Sequence, residues 1–251
     1  EFVQRQFQSL VFSPVQDRDD AMVTRVPANE LGALWDESCD VLQLESLLQQ
    51  RGFGAASELA RLLCDFRSSG WVRRLDATAL RRLQALLPQL LGTLNADDDH
   101  LVMLRRFLRV LEAIGGRSAY FSLLNENPAA RHRFVTVCRG GDFLVSQLAA
   151  HPLLLDELLD ERSLTELPDR HALEIDLEDR LARVDATDPE RLVEALAQFK
   201  RAAVFRVAIA DLSGALPLMR VSDRLTDIAE LIIEKAMQQA WQQMTQAFGV
   251  P

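Results

Sequence analysis

The chain has 251 residues, of which 48% are hydrophobic, and this is enough for one large domain or two small domains with a buried core. Its 37 acidic residues outnumber its 28 basic residues, which gives a formal net charge of -9. This acidic balance argues against a dedicated nucleic-acid binder and against a basic membrane-surface protein, because both need clustered cationic charge.

The N-terminal part of the sequence is predicted to be the least regular. Residues 13–28 read as a linker, since a run of charged residues lies there between two prolines. We expect residues 1–75 to form an N-terminal linker with some helices, and residues 76–251 to form a helical bundle. The first residue is Glu1 rather than Met, so we expect the chain to begin inside a longer protein.

Apolar residues recur at helical spacing along most of the chain, and no segment shows the alternation of a strand. The longest helices are predicted over 98–124, 189–213 and 222–248. Asp188 is a predicted N-cap, and Pro88 should kink or divide a helix over 77–94. The predicted fold class is all-α: an irregular multi-helix bundle of about ten helices with no sheet.

Two acidic clusters are the first candidates for metal chemistry, because nucleotidyl transfer needs carboxylates that hold Mg²⁺. They are Asp17 with Asp19, and the run Asp97, Asp98 and Asp99. The run directly precedes a predicted helix, where acids cap the N-terminus and favour its dipole. No phosphate-binding loop accompanies either cluster, so capping and solvation are the favoured interpretation.

Cysteines and histidines give no sign of a disulfide framework or a metal site. Cys39, Cys64 and Cys138 are far apart, and the four histidines form no pair on one helix face. A reducing, cytoplasmic location fits this pattern best. No apolar run approaches the roughly 20 residues that a membrane span needs.

Large apolar side chains at helical positions are expected to be packed in the core. They are Trp35, Trp71, Phe107, Phe121, Met219 and Trp241.

Four charged residues interrupt an otherwise apolar predicted helix near the end of the chain. They are Lys200, Arg201, Arg206 and Asp211. Burying a bare charge is costly, so these side chains must be paired, extended to solvent or directed at a partner domain. Pairing within the chain is the favoured interpretation, and the four residues are also our candidates for contacts with a neighbouring domain.

Short motifs over residues 100–251 carry a family resemblance. They are Arg117-Ser118-Ala119-Tyr120, Glu126-Asn127-Pro128, Leu148-Ala149, the segment 151–160, Phe199-Lys200-Arg201 with Arg206, Asp211-Leu212-Ser213-Gly214, Leu216-Pro217-Leu218-Met219 and the segment 221–226. In their order and spacing they resemble the central helical region of the bifunctional glutamine synthetase adenylyltransferase/adenylyl-removing enzymes, before the second catalytic domain.

The resemblance implies a parent enzyme that controls nitrogen assimilation. Its two nucleotidyltransferase domains would add AMP from ATP to a tyrosine of glutamine synthetase, with Mg²⁺, and remove it again. Glutamine and the PII signal protein would set the balance, and glutamine synthetase, PII and the neighbouring domains are the expected partners. The family's catalytic signature, a Gly-Ser dipeptide followed by Asp-x-Asp, would be expected only after residue 251. No Gly-Ser dipeptide occurs in this chain, so no catalytic, cofactor-binding or metal-binding residue is carried over. We expect this segment itself to be inactive and to hold no cofactor.

Two other functional classes remain open at this point. The chain could be a stand-alone helical module that docks a protein partner through an apolar or acidic face. It could also be a small all-helical enzyme with a dispersed site, which would require a deep pocket with convergent polar groups.

Overall fold

The computed structural model describes residue 35 and residues 40–158, 168–185, 188–212, 214 and 217–250. Within these ranges the chain forms eleven α-helices and one 3₁₀ helix, and none of the described residues is in a strand. The predicted all-α class is confirmed.

The helices follow one another with short connections. They are α1 Val41–Gln50, α2 Ala56–Arg67, α3 Gly70–Arg73, α4 Ala77–Leu91, α5 His100–Ile114, α6 Ser118–Glu126, α7 Pro128–Arg139, α8 Asp142–Ala150, the 3₁₀ helix η1 Pro152–Leu158, α9 Arg170–Leu181, α10 Pro189–Leu212 and α11 Leu218–Phe248.

Most buried apolar side chains belong to one large cluster, which we call the larger core. Helices α1 to α8 and η1 supply most of it, and one face of α10 completes it. Phe107, Phe121 and Phe134 are fully buried there, as the helical spacing predicts for the first two. The larger core contains residues on both sides of position 75, and the proposed division of the chain at that position stays a prediction.

A separate, smaller core lies between the last three helices. Its buried members come from α9, α10 and α11, and they are Leu173, Leu177, Leu196, Phe199, Ala203, Val207, Ile228 and Leu231. Helix α10 is therefore the element that the two cores share.

Aspartate side chains cap several helix starts by accepting hydrogen bonds from free backbone N–H groups. Asp99 accepts from Val102 N at 3.0 Å, and Asp188 accepts from Glu190 N at 3.1 Å and Arg191 N at 3.2 Å. The capping interpretation of Asp99 and the predicted N-cap Asp188 are thus confirmed.

The helix boundaries differ from three of the predictions. The helix expected over 98–124 is two helices, because Gly115 has a φ of +66° and ends α5. Pro88 does not divide α4, since it lies in the last turn and its own carbonyl still accepts from Gly92 N at 2.9 Å. Helix α11 begins at Leu218 rather than at 222, directly after Pro217. It ends at Phe248, as predicted.

The prediction that Met219 and Trp241 are packed in the core is wrong. Met219 is 73% exposed and Trp241 is 59% exposed, and both lie on α11. The helical periodicity of their positions is correct, but the face on which Trp241 lies has no neighbouring helix in the described chain.

Candidate functional site

Helix α10 presents one face to each core. The residues that it contributes to the larger core are Ala202, Phe205 and Ile209. The residues that it contributes to the smaller core include Phe199, Ala203 and Val207. Both sets repeat at intervals of three or four residues, so each forms its own stripe along the same helix. Ala202 faces the larger core and Ala203 faces the smaller core, and their small side chains let neighbouring helices approach closely on both sides.

Arg206 lies between these two stripes and is one of two buried polar or charged residues in the described chain. Its Nη2 donates a hydrogen bond to Asp176 Oδ2 on α9 at 2.8 Å. Its Nε makes an ion pair with Glu157 Oε2 on η1 at 3.5 Å, and it makes no hydrogen bond to any residue in the described ranges. Since η1 packs in the larger core and α9 in the smaller core, one guanidinium joins the two.

Arg180 completes a charge cluster of four residues, which we call the junction cluster: Glu157, Asp176, Arg180 and Arg206. Arg180 Nε donates to Asp176 Oδ1 at 2.8 Å, and Arg180 Nη2 lies 3.9 Å from Glu157 Oε1. Two cations thus face two carboxylates, which offsets the cost of removing each charge from water. The four-residue spacing of Asp176 and Arg180 in the sequence predicts an ion pair on an exposed helix face. The pair is confirmed, but it is half-buried.

The two carboxylates of the junction cluster differ in their electrostatics. Burial raises the pKa of Glu157, and the nearby charges of Arg206 and Arg180 reduce this effect without cancelling it. Burial also acts to raise the pKa of Asp176, but the hydrogen bonds from Arg180 and Arg206 outweigh it and lower that pKa. The aspartate is therefore the firmly ionised partner that holds Arg206 in place.

A polar cleft of about 500 Å³ opens beside the junction cluster, between η1 and α10. Arg117, His151 and Asp156 lie on one wall, and Glu194 and Arg201 lie on the other. Glu194 accepts hydrogen bonds from Gln198 and Arg201, which lower its pKa. Among the described lining residues there is no serine, threonine, tyrosine or cysteine, so these residues offer groups for binding and ion pairing but no hydroxyl or thiol nucleophile.

The four charged residues predicted on this helix have different surroundings. Arg206 is buried in the junction cluster, and Arg201 pairs with Glu194 at 2.8 Å on the cleft wall. Lys200 is exposed and Asp211 is half-buried, and neither side chain makes a hydrogen bond or ion pair with the described part of the chain. Burial raises the pKa of Asp211. Contact with a neighbouring domain stays a prediction for all four.

Sequence reasoning missed Glu157 as a member of the junction cluster. The residue lies within the matching segment 151–160, but nothing in its spacing shows that it meets Arg206 on α10, which is about 50 positions later. The spacing of Asp176 and Arg180 indicated their pairing on one helix, yet not their convergence on Arg206.

The other candidates from the sequence have structural roles where they are described. Asp98 pairs with Arg139 at 2.7 Å, and burial raises the pKa of the Cys138 thiol. His100 is buried and hydrogen-bonded to backbone atoms of Gly54 and Asn95. Asp17, Asp19 and Cys39 lie outside the described residues.

Metal and membrane features are also absent from the described ranges. No group of three or more His, Cys, Asp or Glu side chains there could hold a metal ion. None of the described helices is long and apolar enough to cross a membrane.

Comparisons with known proteins find relatives over nearly the whole chain. The family model for glutamate-ammonia ligase adenylyltransferase matches residues 131–251. The bifunctional glutamine synthetase adenylyltransferase/adenylyl-removing enzyme of Pseudomonas putida is 38% identical over 245 residues, which are 98% of this chain and 25% of that protein. The enzyme of the same name from Thioalkalivibrio sulfidiphilus is 35% identical over 250 residues, covering 99% of this chain and 26% of that protein.

The chain belongs to the glutamate-ammonia ligase adenylyltransferase family. It spans about a quarter of the length of the curated relatives that it matches.

Proposed function

We propose that this chain is the helical positioning segment of an enzyme that adenylylates and deadenylylates glutamine synthetase. In the complete enzyme, AMP would be transferred from ATP to a tyrosine and removed again, and nitrogen assimilation would be controlled in this way. The segment would set the relative position of neighbouring nucleotidyltransferase domains and would transfer no AMP itself. We place it in the cytoplasm, with PII as a further partner of the complete enzyme.

One observation carries this proposal: Arg206 joins the larger and the smaller core through carboxylates from two different elements. A buried, charge-paired arginine fixes geometry more strictly than apolar contacts do, because guanidinium and carboxylate groups bond only in certain orientations. Helix α11 packs on the smaller core, so this pairing would also set the direction of α11 relative to the larger core. This arrangement suits a segment that holds other domains in place.

The described residues do not fit a site for Mg²⁺ and ATP. Asp98 is paired with Arg139, and Asp99 caps the start of α5. No cluster of possible metal ligands occurs in the described ranges. We therefore assign Mg²⁺ and ATP to other domains of the complete enzyme.

The test is a substitution of Arg206, a member of the junction cluster, in the complete enzyme. Arg206→Met removes the cation and leaves two half-buried carboxylates with one partner, so we expect both AMP addition and AMP removal to fall several-fold. Arg191→Met is the matched control, because Arg191 is 76% exposed and, among the described residues, pairs only with Asp188 at the start of its own helix. Circular dichroism would verify that both variants are folded.

Two results would contradict the proposal. The first is an Arg206→Met enzyme that is folded and has unchanged rates of AMP addition and removal. The second is AMP transfer to glutamine synthetase above background by this chain alone with Mg²⁺ and ATP.

A further inference from the structure

The second half of α11 extends beyond the two cores. Its last buried residue is Leu231, and Lys235 Nζ still bonds Glu178 Oε1 on α9 at 2.9 Å. From residue 236 to 248, every residue of the helix is exposed or only partly covered. At about 1.5 Å per residue, this part is about 20 Å long.

Five large apolar side chains form a stripe along this end of the helix, which we call the α11 stripe. They are Ile233, Met237, Trp241, Met244 and Phe248, which are 58%, 67%, 59%, 57% and 80% exposed. Their spacing of three and four residues places them within a sector of about 80°, and Ile228 and Leu231 lie on the opposite side of the helix. The stripe is thus a second apolar face, separate from the one that packs on the smaller core.

The composition around the stripe is that of the centre of a protein interface. Residues 236–248 contain no Lys, Arg, Asp or Glu, and the polar positions are mostly glutamine. Interface centres are depleted of charge and enriched in Trp, Met and Phe. A helix end that is exposed only to water is expected to carry charged residues, as the first half of α11 does.

A membrane surface and a second copy of the chain are weaker matches for this stripe. Helices that lie on membranes carry Lys or Arg on their polar face, and this stretch has none. A strip about 10 Å wide and about 22 Å long is also much smaller than the roughly 800 Å² per partner of a stable interface between separate chains.

We propose that the α11 stripe docks onto the nucleotidyltransferase part of the complete enzyme, within the same polypeptide. The relatives carry the matching segment in chains about four times as long. A partner in the same chain is present at a high effective concentration, so a narrow stripe is enough to hold it. This inference rests on the proposed function, and it names the surface through which the positioning would act.

The experiment is hydrogen exchange on the complete enzyme, followed in a peptide that covers residues 236–248. We expect amides of this stretch to be protected, and we expect Trp241→Gln with Met244→Gln to speed their exchange at least tenfold. AMP addition should fall several-fold in the same variant. Leu42→Gln is the matched control, because Leu42 is a 72% exposed apolar residue on α1, away from the stripe.

Three outcomes would overturn the docking inference. In the first, residues 236–248 of the unsubstituted enzyme exchange as fast as an uncovered helix end. In the second, protection increases with protein concentration, which indicates binding to a second copy. In the third, the double substitution leaves the exchange rate unchanged. If Arg206→Met lowers activity while one of these is observed, the positioning function stands and only the docking surface is wrong. If 236–248 is protected and neither variant changes activity, the surface is covered but the positioning function fails.

Discussion

Gly140 lies directly against Leu212: a Cβ atom built on Gly140 would be 2.3 Å from Leu212 Cδ1. The glycine ends α7 and the leucine ends α10, so this contact sets how closely the shared helix approaches the larger core. The backbone of Gly140 is in the ordinary helical region, and therefore space rather than conformation requires glycine here.

Gly140→Ala should destabilise the fold by about 1–2 kcal/mol, because Leu212 and the nearby Leu144 side chain must both shift. Gly116→Ala is the control, since a Cβ there would meet nothing within 4 Å and the change should be near neutral. Urea unfolding of the two variants measures the difference. Equal midpoints would show that the space at Gly140 is not restrictive.

Arg206→Lys should also lower stability, by about 1–2 kcal/mol, although it retains the positive charge. The ammonium group cannot bond Asp176 on α9 and contact Glu157 on η1 with the fixed geometry of a guanidinium. Denaturant unfolding of Arg206→Lys beside Arg191→Lys tests this, because Arg191 is exposed and its pairing with Asp188 is within one helix end. Equal losses in the free energy of unfolding for the two variants would contradict the prediction.

Asp176 should make stability depend on pH in the acid range. Hydrogen bonds from Arg180 and Arg206 hold its pKa below the ordinary value despite burial, so ionised Asp176 favours the folded state. This stabilisation is complete above about pH 4, the ordinary aspartate pKa, and is lost as the pH falls through the lowered pKa. In Asp176→Asn the free energy of unfolding should therefore be lower at pH 7 and change less between pH 5 and pH 2.

Glu157→Gln should cost less stability at pH 7 than Asp176→Asn does. Burial raises the pKa of Glu157, so the folded state favours its protonated form, and ionisation of Glu157 reduces stability as the pH rises through the raised pKa. A neutral amide removes that cost while it keeps an oxygen near Arg206. Chemical unfolding of both variants at pH 7 gives the comparison. A larger loss of stability in Glu157→Gln would show that Glu157, and not Asp176, is the ionised partner that holds Arg206.

His100 should carry its ring hydrogen on Nε2. Nδ1 accepts a hydrogen bond from Gly54 N at 2.8 Å, and Nε2 lies 2.9 Å from the carbonyl oxygen of Asn95, which can only accept. Nitrogen-15 chemical shifts of the imidazole would report this tautomer directly. His100→Ala should cost about 2 kcal/mol, because it leaves Gly54 N–H and the Asn95 carbonyl without these partners.

The sequence predicted what depends on local periodicity and failed where distant segments meet. Helical class, the caps Asp99 and Asp188, and the end of α11 all follow from residues close together in the chain. Trp241 shows the limit, because its spacing reveals an apolar face but not whether another helix covers it. The junction cluster shows the same limit, since Glu157 and Arg206 are brought together only by the packing of η1 on α10.

The double role of α10 links the melting of the two cores. Its stripes alternate along one continuous helix of 24 residues, so loss of helical order in α10 would expose Phe205 and Phe199 to water together. If α10 leaves one core, the other core also loses the packing that this helix provides. The described helices should accordingly denature in one cooperative transition, and a ligand or domain that tightens α11 would raise the melting temperature of the larger core as well.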